Sequence, residues 1–290
     1  MKICDLHTHS VYSDGTYTPE EIINSAIELG LSAVALCDHN TTDGLPEFLS
    51  FAKNKDIEAI AGVEFSVDYN GRELHLLGLY IPESKFATVS DLMREVNKRK
   101  KQSNIDLIDA LNKAGYQIDY EYLKNSTPCG KFNRAHIAAE LTRKGYTESI
   151  KAAFDTLLSK TAGYYKEPRR PDFFEMIDFI KSIGAIPVLA HPFLNLNKDE
   201  LEILLPLAKE RGLVGMECFY SLYDDKTTEA SFALADKFEL KYSGGSDFHG
   251  ENKPNIMLGV GKGNLKIPYS LASALKMHNN LNPYKKAATK

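Results

Sequence analysis

A chain of 290 residues, 43% hydrophobic and 26% charged with no low-complexity tract, can bury a sizeable core, which excludes a disordered or fibrous protein. Its net charge of −4 and pI near 6.1 argue against a broad basic surface for duplex DNA, while leaving room for a local phosphate pocket. The first residues lack the apolar core of a signal peptide, no apolar run reaches the roughly 20 residues that span a bilayer, and Cys4, Cys37, Cys129 and Cys218 show no C-x-x-C spacing; a reduced, cytoplasmic protein with no membrane partner is expected.

Residues 2–6 read as a short strand. Thr18-Pro19-Glu20-Glu21 then supplies an N-cap, a proline at the first helical position and a capping-box glutamate. Ile22, Ile23, Ala26 and Ile27 make the apolar face of that helix, and Gly30 ends it. Ala33-Val34-Ala35-Leu36-Cys37 is an unbroken apolar run, as in a buried parallel strand. A helix over 45–55 and a strand over 58–63 follow, and Asn70-Gly71 predicts a hairpin between 65–69 and 72–80.

From residue 84 the rhythm changes. Helices are predicted over 89–111, 133–144 and 148–159, with no convincing strand between 84 and 165. The alternation resumes with a helix over 172–184, strand 185–190, helix 199–211, strand 213–218, helix 228–238 and strand 240–246. The fold class is α/β with about seven strands, closing into a barrel or winding into an open sheet. The expected domains are a discontinuous barrel at 1–83 and 166–290 and a helical insertion at 84–165.

Potential metal ligands sit at or just past the C-terminal ends of these strands, where such enzymes build their sites. His7 and His9 follow the first strand, Asp38-His39 the second, Glu64 the third, His191 the fifth, and Asp247 with His249 the last. Asp14 lies in the first loop and His75 in the hairpin. Six of the eight histidines occupy such places, leaving His136 and His278. On a strand, residues two apart face the same way, so His7 and His9 can share an ion, as can Asp247 and His249. Imidazole mixed with carboxylate selects zinc, manganese or iron rather than calcium. Nine candidates exceed one coordination sphere, so more than one ion is expected, with Glu64 able to bridge. A lone histidine beside a strand is ordinarily a satisfied polar residue, Asp14-Gly15 is ordinarily a turn, and Asp38-His39-Asn40 is ordinarily a capping loop; their concentration on one rim is what singles them out. Cys218 reads as structural.

His7-Thr8-His9-Ser10-Val11-Tyr12-Ser13-Asp14-Gly15 resembles the opening motif of the PHP (polymerase and histidinol phosphatase) family. Asp38-His39-Asn40, Gly62-Val63-Glu64, His75, Ala190-His191-Pro192 and Gly245-Ser246-Asp247-Phe248-His249 extend the resemblance to about residue 260. It implies a distorted (β/α)7 barrel and two or three divalent ions (Mn, Zn or Fe), held by His7, His9, Asp14, His39, Glu64, His75, His191, Asp247 and His249. With none of these substituted, a scaffold whose site has decayed is disfavoured. The single domain with its insertion is similar to a subgroup acting on 3′,5′-nucleoside bisphosphates, AMP or the 5′ ends of short RNA. That subgroup has a motif like Phe132-Asn133-Arg134-Ala135-His136-Ile137-Ala138, often with proline in place of Ala135.

The expected reaction is hydrolysis of a phosphomonoester by a metal-activated hydroxide. Asp38, His191 or His249 is expected to protonate the leaving oxygen, and Lys131, Arg134, His136 and Arg169 to hold phosphate, with the insertion as a lid. The alternatives on the same ligands are a C–N hydrolase of the amidohydrolase type and a histidinol-phosphate-like small phosphoester hydrolase.

Overall fold

Four strand–helix steps and one hairpin build a single sheet. In chain order the elements are β1 (Cys4–Thr8), α1 (Pro19–Glu28), β2 (Ala33–Leu36), α2 (Leu45–Ala52), β3 (Glu58–Tyr69), β4 (Arg72–Leu79), α3 (Phe86–Lys113), α4 (Tyr120–Asn125), α5 (Arg134–Arg143) and α6 (Ile150–Asp155). They continue with α7 (Phe173–Ser182), β5 (Ile186–Leu189), α8 (Lys198–Arg211), β6 (Gly215–Tyr220), α9 (Asp225–Lys237), β7 (Lys241–Gly245) and α10 (Tyr269–Asn280). The computed structural model describes residues 2–127, 130 and 132–280. The chain falls into two units, Met1–Ser90 with Arg170–Lys290, and Asp91–Arg169.

In the first unit the sheet order is β1-β2-β3-β4-β5-β6-β7. Most neighbours are parallel, but the Asn70-Gly71 turn reverses β4, which runs antiparallel to both β3 and β5. That reversal is the distortion of the barrel. The sheet nearly closes on itself where Thr8 bridges Phe248 and the Asp247 N–H donates to His7 O at 2.9 Å. Glycine is required at this seam: a Cβ on Gly245 would lie 2.2 Å from the His7 Cβ. Small and branched side chains fill the interior, among them Leu6, Ala33, Ala35, Leu77 and Val188.

The local signals account for the helices. Thr18 and Glu21 form the capping box that opens α1, and Asp172 accepts two backbone N–H groups at the start of α7. Several features differ from expectation: β1 runs Cys4–Thr8, two residues later than expected, so that His7 lies within it, and α2 ends at Ala52. β3 is one strand of 12 residues, because the third strand and the first arm of the hairpin are continuous. β6 begins and ends two residues later than expected, and α6 covers only six residues, since Thr156 leaves helical geometry. Sequence reading also missed α4, capped by Asp119, and α10.

The second unit packs α3, α4, α5 and α6 around Leu107, Leu111, Leu123, Ile137, Leu141 and Ala153. Ser103 Oγ donates to Lys166 O at 2.6 Å, and the Asn104 amide to Phe132 O at 3.0 Å. Among the described residues no helix is long and apolar enough to cross a membrane.

Candidate metal centre

β1 places His7 and His9 two apart with both rings buried, and their Nε2 atoms approach to 3.0 Å. β3 carries Glu64 beneath them. Its Oε2 lies 3.3 Å from His7 Nε2, 3.2 Å from His9 Nε2 and 3.1 Å from His39 Nδ1. Its Oε1 lies 2.7 Å from His75 Nδ1 and 2.9 Å from His191 Nε2. A single carboxylate thus faces five imidazoles. On the far side Asp14 Oδ1 meets His249 Nε2 at 3.2 Å, and Asp247 Oδ1 meets His9 Nε2 at 3.3 Å.

All nine positions read from the sequence therefore converge. Their donor atoms form overlapping groups: His9, Asp14, His39 and His249; His7, His9 and Glu64; His39, Glu64 and His75. His191 belongs with His7 and Glu217, a residue the sequence reading missed. The backbone is bent to present them, with φ at 27° for His191 and 57° for Asp247, a region side chains seldom adopt.

The donor set fits divalent cations. Among the described residues, His39 Nδ1, His75 Nδ1, His191 Nδ1 and Glu64 Oε2 are buried without a hydrogen-bond partner, although His39 Nδ1 lies 3.1 Å from Glu64 Oε2 and His75 Nδ1 lies 2.7 Å from Glu64 Oε1. Buried polar atoms are seldom left unpaired. Lone pairs pointed at a common interior, rather than hydrogen bonds between neighbours, are what a metal site requires.

Electrostatics agree. Burial would raise the Glu64 carboxyl, but His75, His39 and His7 outweigh it and hold it well below the usual carboxylate range. Asp247 is lowered against burial by Lys253 and His249, and Asp14 by His249 and His39. Burial would lower His7, yet Glu217 and Glu64 raise it well above its usual value. His39 goes the other way, down to about 3, because burial exceeds the attraction of Glu64 and Asp14.

A second layer fixes these donors. Glu217 Oε1 lies 3.0 Å from His7 Nδ1, and its Oε2 accepts the His191 N–H at 2.7 Å. Asp247 Oδ2 accepts from Tyr220 OH at 2.8 Å and from Lys253 Nζ at 2.6 Å, which leaves Oδ1 toward the cluster. Asp38 stands apart from the donor groups. Its Oδ1 accepts the Ser10 N–H at 2.8 Å and the Ser13 hydroxyl, and its Oδ2 accepts the Ser10 hydroxyl at 2.6 Å, which pins the loop carrying Asp14. Glu217 carried one signal, an acidic residue inside an apolar strand; Lys253 and Tyr220 carried none.

In the second unit, Arg134 opens α5 with its guanidinium 4.1 Å from the Tyr165 ring centroid and 5.7 Å from that of Phe154. His136 serves the cap of that helix, its Nδ1 accepting the Asn133 N–H at 3.1 Å. Arg169 is exposed, and its neighbour Arg170 pairs with Glu73 at 2.6 Å. Lys131 and Cys129 lie outside the described residues.

The PHP domain model matches residues 5–181. The chain is 32% identical over 246 residues to a 5′-3′ exoribonuclease from Haemophilus influenzae, covering 84% of this chain and 89% of that protein. It is 30% identical to a phosphoribosyl 1,2-cyclic phosphate 1,2-diphosphodiesterase from Eggerthella lenta, covering 85% and 94%. Among solved structures, a protein from Bifidobacterium adolescentis taken to be a metal-dependent phosphoesterase superposes with a TM-score of 0.80 at 25% identity, covering 95% and 96%. With the family model spanning well over half of its length, the chain belongs to the PHP domain family.

Proposed function

We propose that this protein is a metal-dependent phosphoesterase that hydrolyses a phosphomonoester of a nucleotide (AMP or a 3′,5′-nucleoside bisphosphate) or of the 5′ end of a short RNA. The observation that carries this is the convergence of six imidazoles and three carboxylates with buried lone pairs left unpaired. The two relatives named above both act, by their names, on phosphate esters that include a ribose. We assign His7, His9, Asp14, His39, Glu64, His75, His191, Asp247 and His249 as ligands of two or three divalent ions, manganese, zinc or iron.

Ions held there would supply Lewis acidity and a nucleophile at neutral pH. The remaining tasks fall to the chain. Glu64 reaches two donor groups and suits a bridging position. Asp38 is committed to Ser10 and Ser13, and His191 or His249 could protonate the departing oxygen only while not serving as an ion's ligand. Lys253 adds positive charge beside Asp247 at the rim. Arg134, with His136, Lys131 and Arg169, is assigned to a substrate phosphate, and its stacking on Tyr165 would fix the guanidinium plane for bidentate binding.

The test uses protein loaded with manganese or zinc against AMP, 3′,5′-bisphosphates, 5′-phosphorylated oligoribonucleotides and a ribose cyclic phosphate. Release of phosphate that stops with EDTA and returns with metal is expected; release of 5′ nucleotides from RNA without phosphate would instead make the protein a phosphodiesterase on the same site. Amide or deamination products with no phosphoester cleavage would replace this reading by a C–N hydrolase.

A further inference from the structure

Helix α3 carries five basic residues in eight positions, Arg94, Lys98, Arg99, Lys100 and Lys101, with Glu95 the single acid among them. Arg94, Lys98 and Lys101 follow the i, i+4, i+7 spacing of one helical stripe, about 10 Å long, and Arg99 flanks it. All four are exposed. The helix is held from its other side, where Met93, Leu107 and Leu111 are fully buried. Arg94 pairs with Asp91, whereas among the described residues Lys98, Arg99, Lys100 and Lys101 form no ion pair.

The charge is not local ornament. Residues 91–169 contain fifteen Lys and Arg against ten Asp and Glu, a net +5 in a chain of net −4, which leaves −9 on the remainder. An ordinary solvated helix face mixes both signs at i, i+4 spacing; this one repels itself over two turns, at a cost unless a polyanion lies against it.

We propose that this stripe binds the sugar–phosphate backbone of single-stranded RNA. The inference rests on the phosphoesterase reading above and adds to it a surface that would hold the strand of a 5′-phosphorylated RNA. A strip two turns long on one helix matches a few consecutive phosphates of one strand. A duplex would need the broad basic surface that a remainder of −9 does not supply.

The test measures binding of a short 5′-phosphorylated RNA to full-length, EDTA-treated protein, so that affinity is read without turnover. The variant is Lys98→Glu/Arg99→Glu/Lys101→Glu, with Lys98→Arg/Lys101→Arg as the charge-preserving control. At about 0.1 M salt the reversed variant should bind RNA at least about tenfold more weakly. Its slope of log affinity against log salt should be shallower by about 2, given roughly 0.7 per phosphate neutralised. Hydrolysis of AMP by the metal-loaded variant should be unchanged, and the control should bind as wild type. RNA affinity unaltered by charge reversal would overturn the proposal, as would loss of RNA binding in the charge-preserving control. Should wild type hydrolyse no phosphoester yet lose RNA affinity on reversal, the catalytic reading fails and the RNA surface stands. Should it hydrolyse AMP and RNA with reversal changing neither binding nor rate, the surface fails and the catalytic reading stands.

Discussion

Glu64 and Glu217 show how differently two buried carboxylates can be used. Glu64 faces five imidazoles, so Glu64→Gln should remove more metal than His278→Gln, a change at a histidine outside the cluster, with metal content read by elemental analysis; equal loss would refute the assignment. Glu217 touches the donors from behind, and Glu217→Gln keeps its shape while removing the charge that orients His7. Metal affinity should fall by about 10–100-fold in a chelator competition, with the fold retained; unchanged affinity would show that Glu217 is only a packing group. Protons compete for the same lone pairs. Burial would lower His9 and His75, but Asp247 and Glu64 raise the first to about 9, and Glu64 raises the second to about 10. Both are therefore protonated at neutral pH in the metal-free protein, and a cation must displace those protons. Affinity should climb as pH rises toward about 9, where His9 loses its proton unaided, and flatten above the His75 value of about 10. His7, raised well above its usual value against burial by Glu217 and Glu64, carries a third such proton, so calorimetry in buffers of different ionisation heat should find about three protons released per protein at neutral pH; none released would mean the imidazoles are already neutral. Among the nine candidate positions, His9, His39, His191, Asp247 and His249 were legible because they stand just past strand ends, whereas His7, Glu64 and His75 lie within β1, β3 and β4 and were singled out by the histidine and carboxylate pattern. Glu217 was passed over because an acid within Gly215-Met216-Glu217-Cys218 looks like an interruption of a core strand, and its partners are distant in sequence.

At the scale of elements, the strands were legible as apolar runs and the hairpin as Asn70-Gly71, so seven strands with a reversed β4 follow from local pattern, which left a barrel and an open sheet both possible. What local pattern lacks is the seam. Closure of β7 on β1 depends on Asp5, buried in β1, whose carboxylate accepts the Ser246 N–H at 2.9 Å, the Ser246 hydroxyl at 2.5 Å and the Gly259 N–H at 2.8 Å. No spacing in the chain links residues so far apart. Beyond His249 the loop after β7 was equally silent, since what that part contributes is the position of Lys253, set by the turn that follows His249. Helix boundaries were read well where a side chain caps them, as at Thr18, Asn133 and Asp172. They were read poorly for α6, where the apolar spacing continues past the point at which the backbone stops being helical.

For the whole molecule, charge is divided between the two units: the barrel gathers acids and imidazoles suited to cations, and the insertion gathers the basic residues suited to phosphate. Ions held by the acidic unit would activate a phosphate but would not by themselves discriminate the rest of a nucleotide; that calls for donors other than the residues that would ligate the metal. We propose Arg134 for this role, its guanidinium lying over the Tyr165 ring, 4.1 Å from the centroid, and 5.7 Å from that of Phe154. A charged hydrogen bond is worth about 1.5–3 kcal/mol, so a bidentate grip lost in Arg134→Ala should lower kcat/KM by about one to three orders of magnitude. Metal content should stay at the wild-type level, because Arg134 lies in none of the donor groups. The choice of substrate separates two versions of the role. An Arg134 that grips the reacting phosphate slows every phosphoester alike, whereas one that grips a remote phosphate slows 3′,5′-bisphosphates far more than AMP. Arg134→Lys keeps the charge and the stem but loses the fork, so it should recover only part of the rate. Unchanged kinetics of Arg134→Ala on every nucleotide would show that its stacking on Tyr165 serves the fold of the insertion alone.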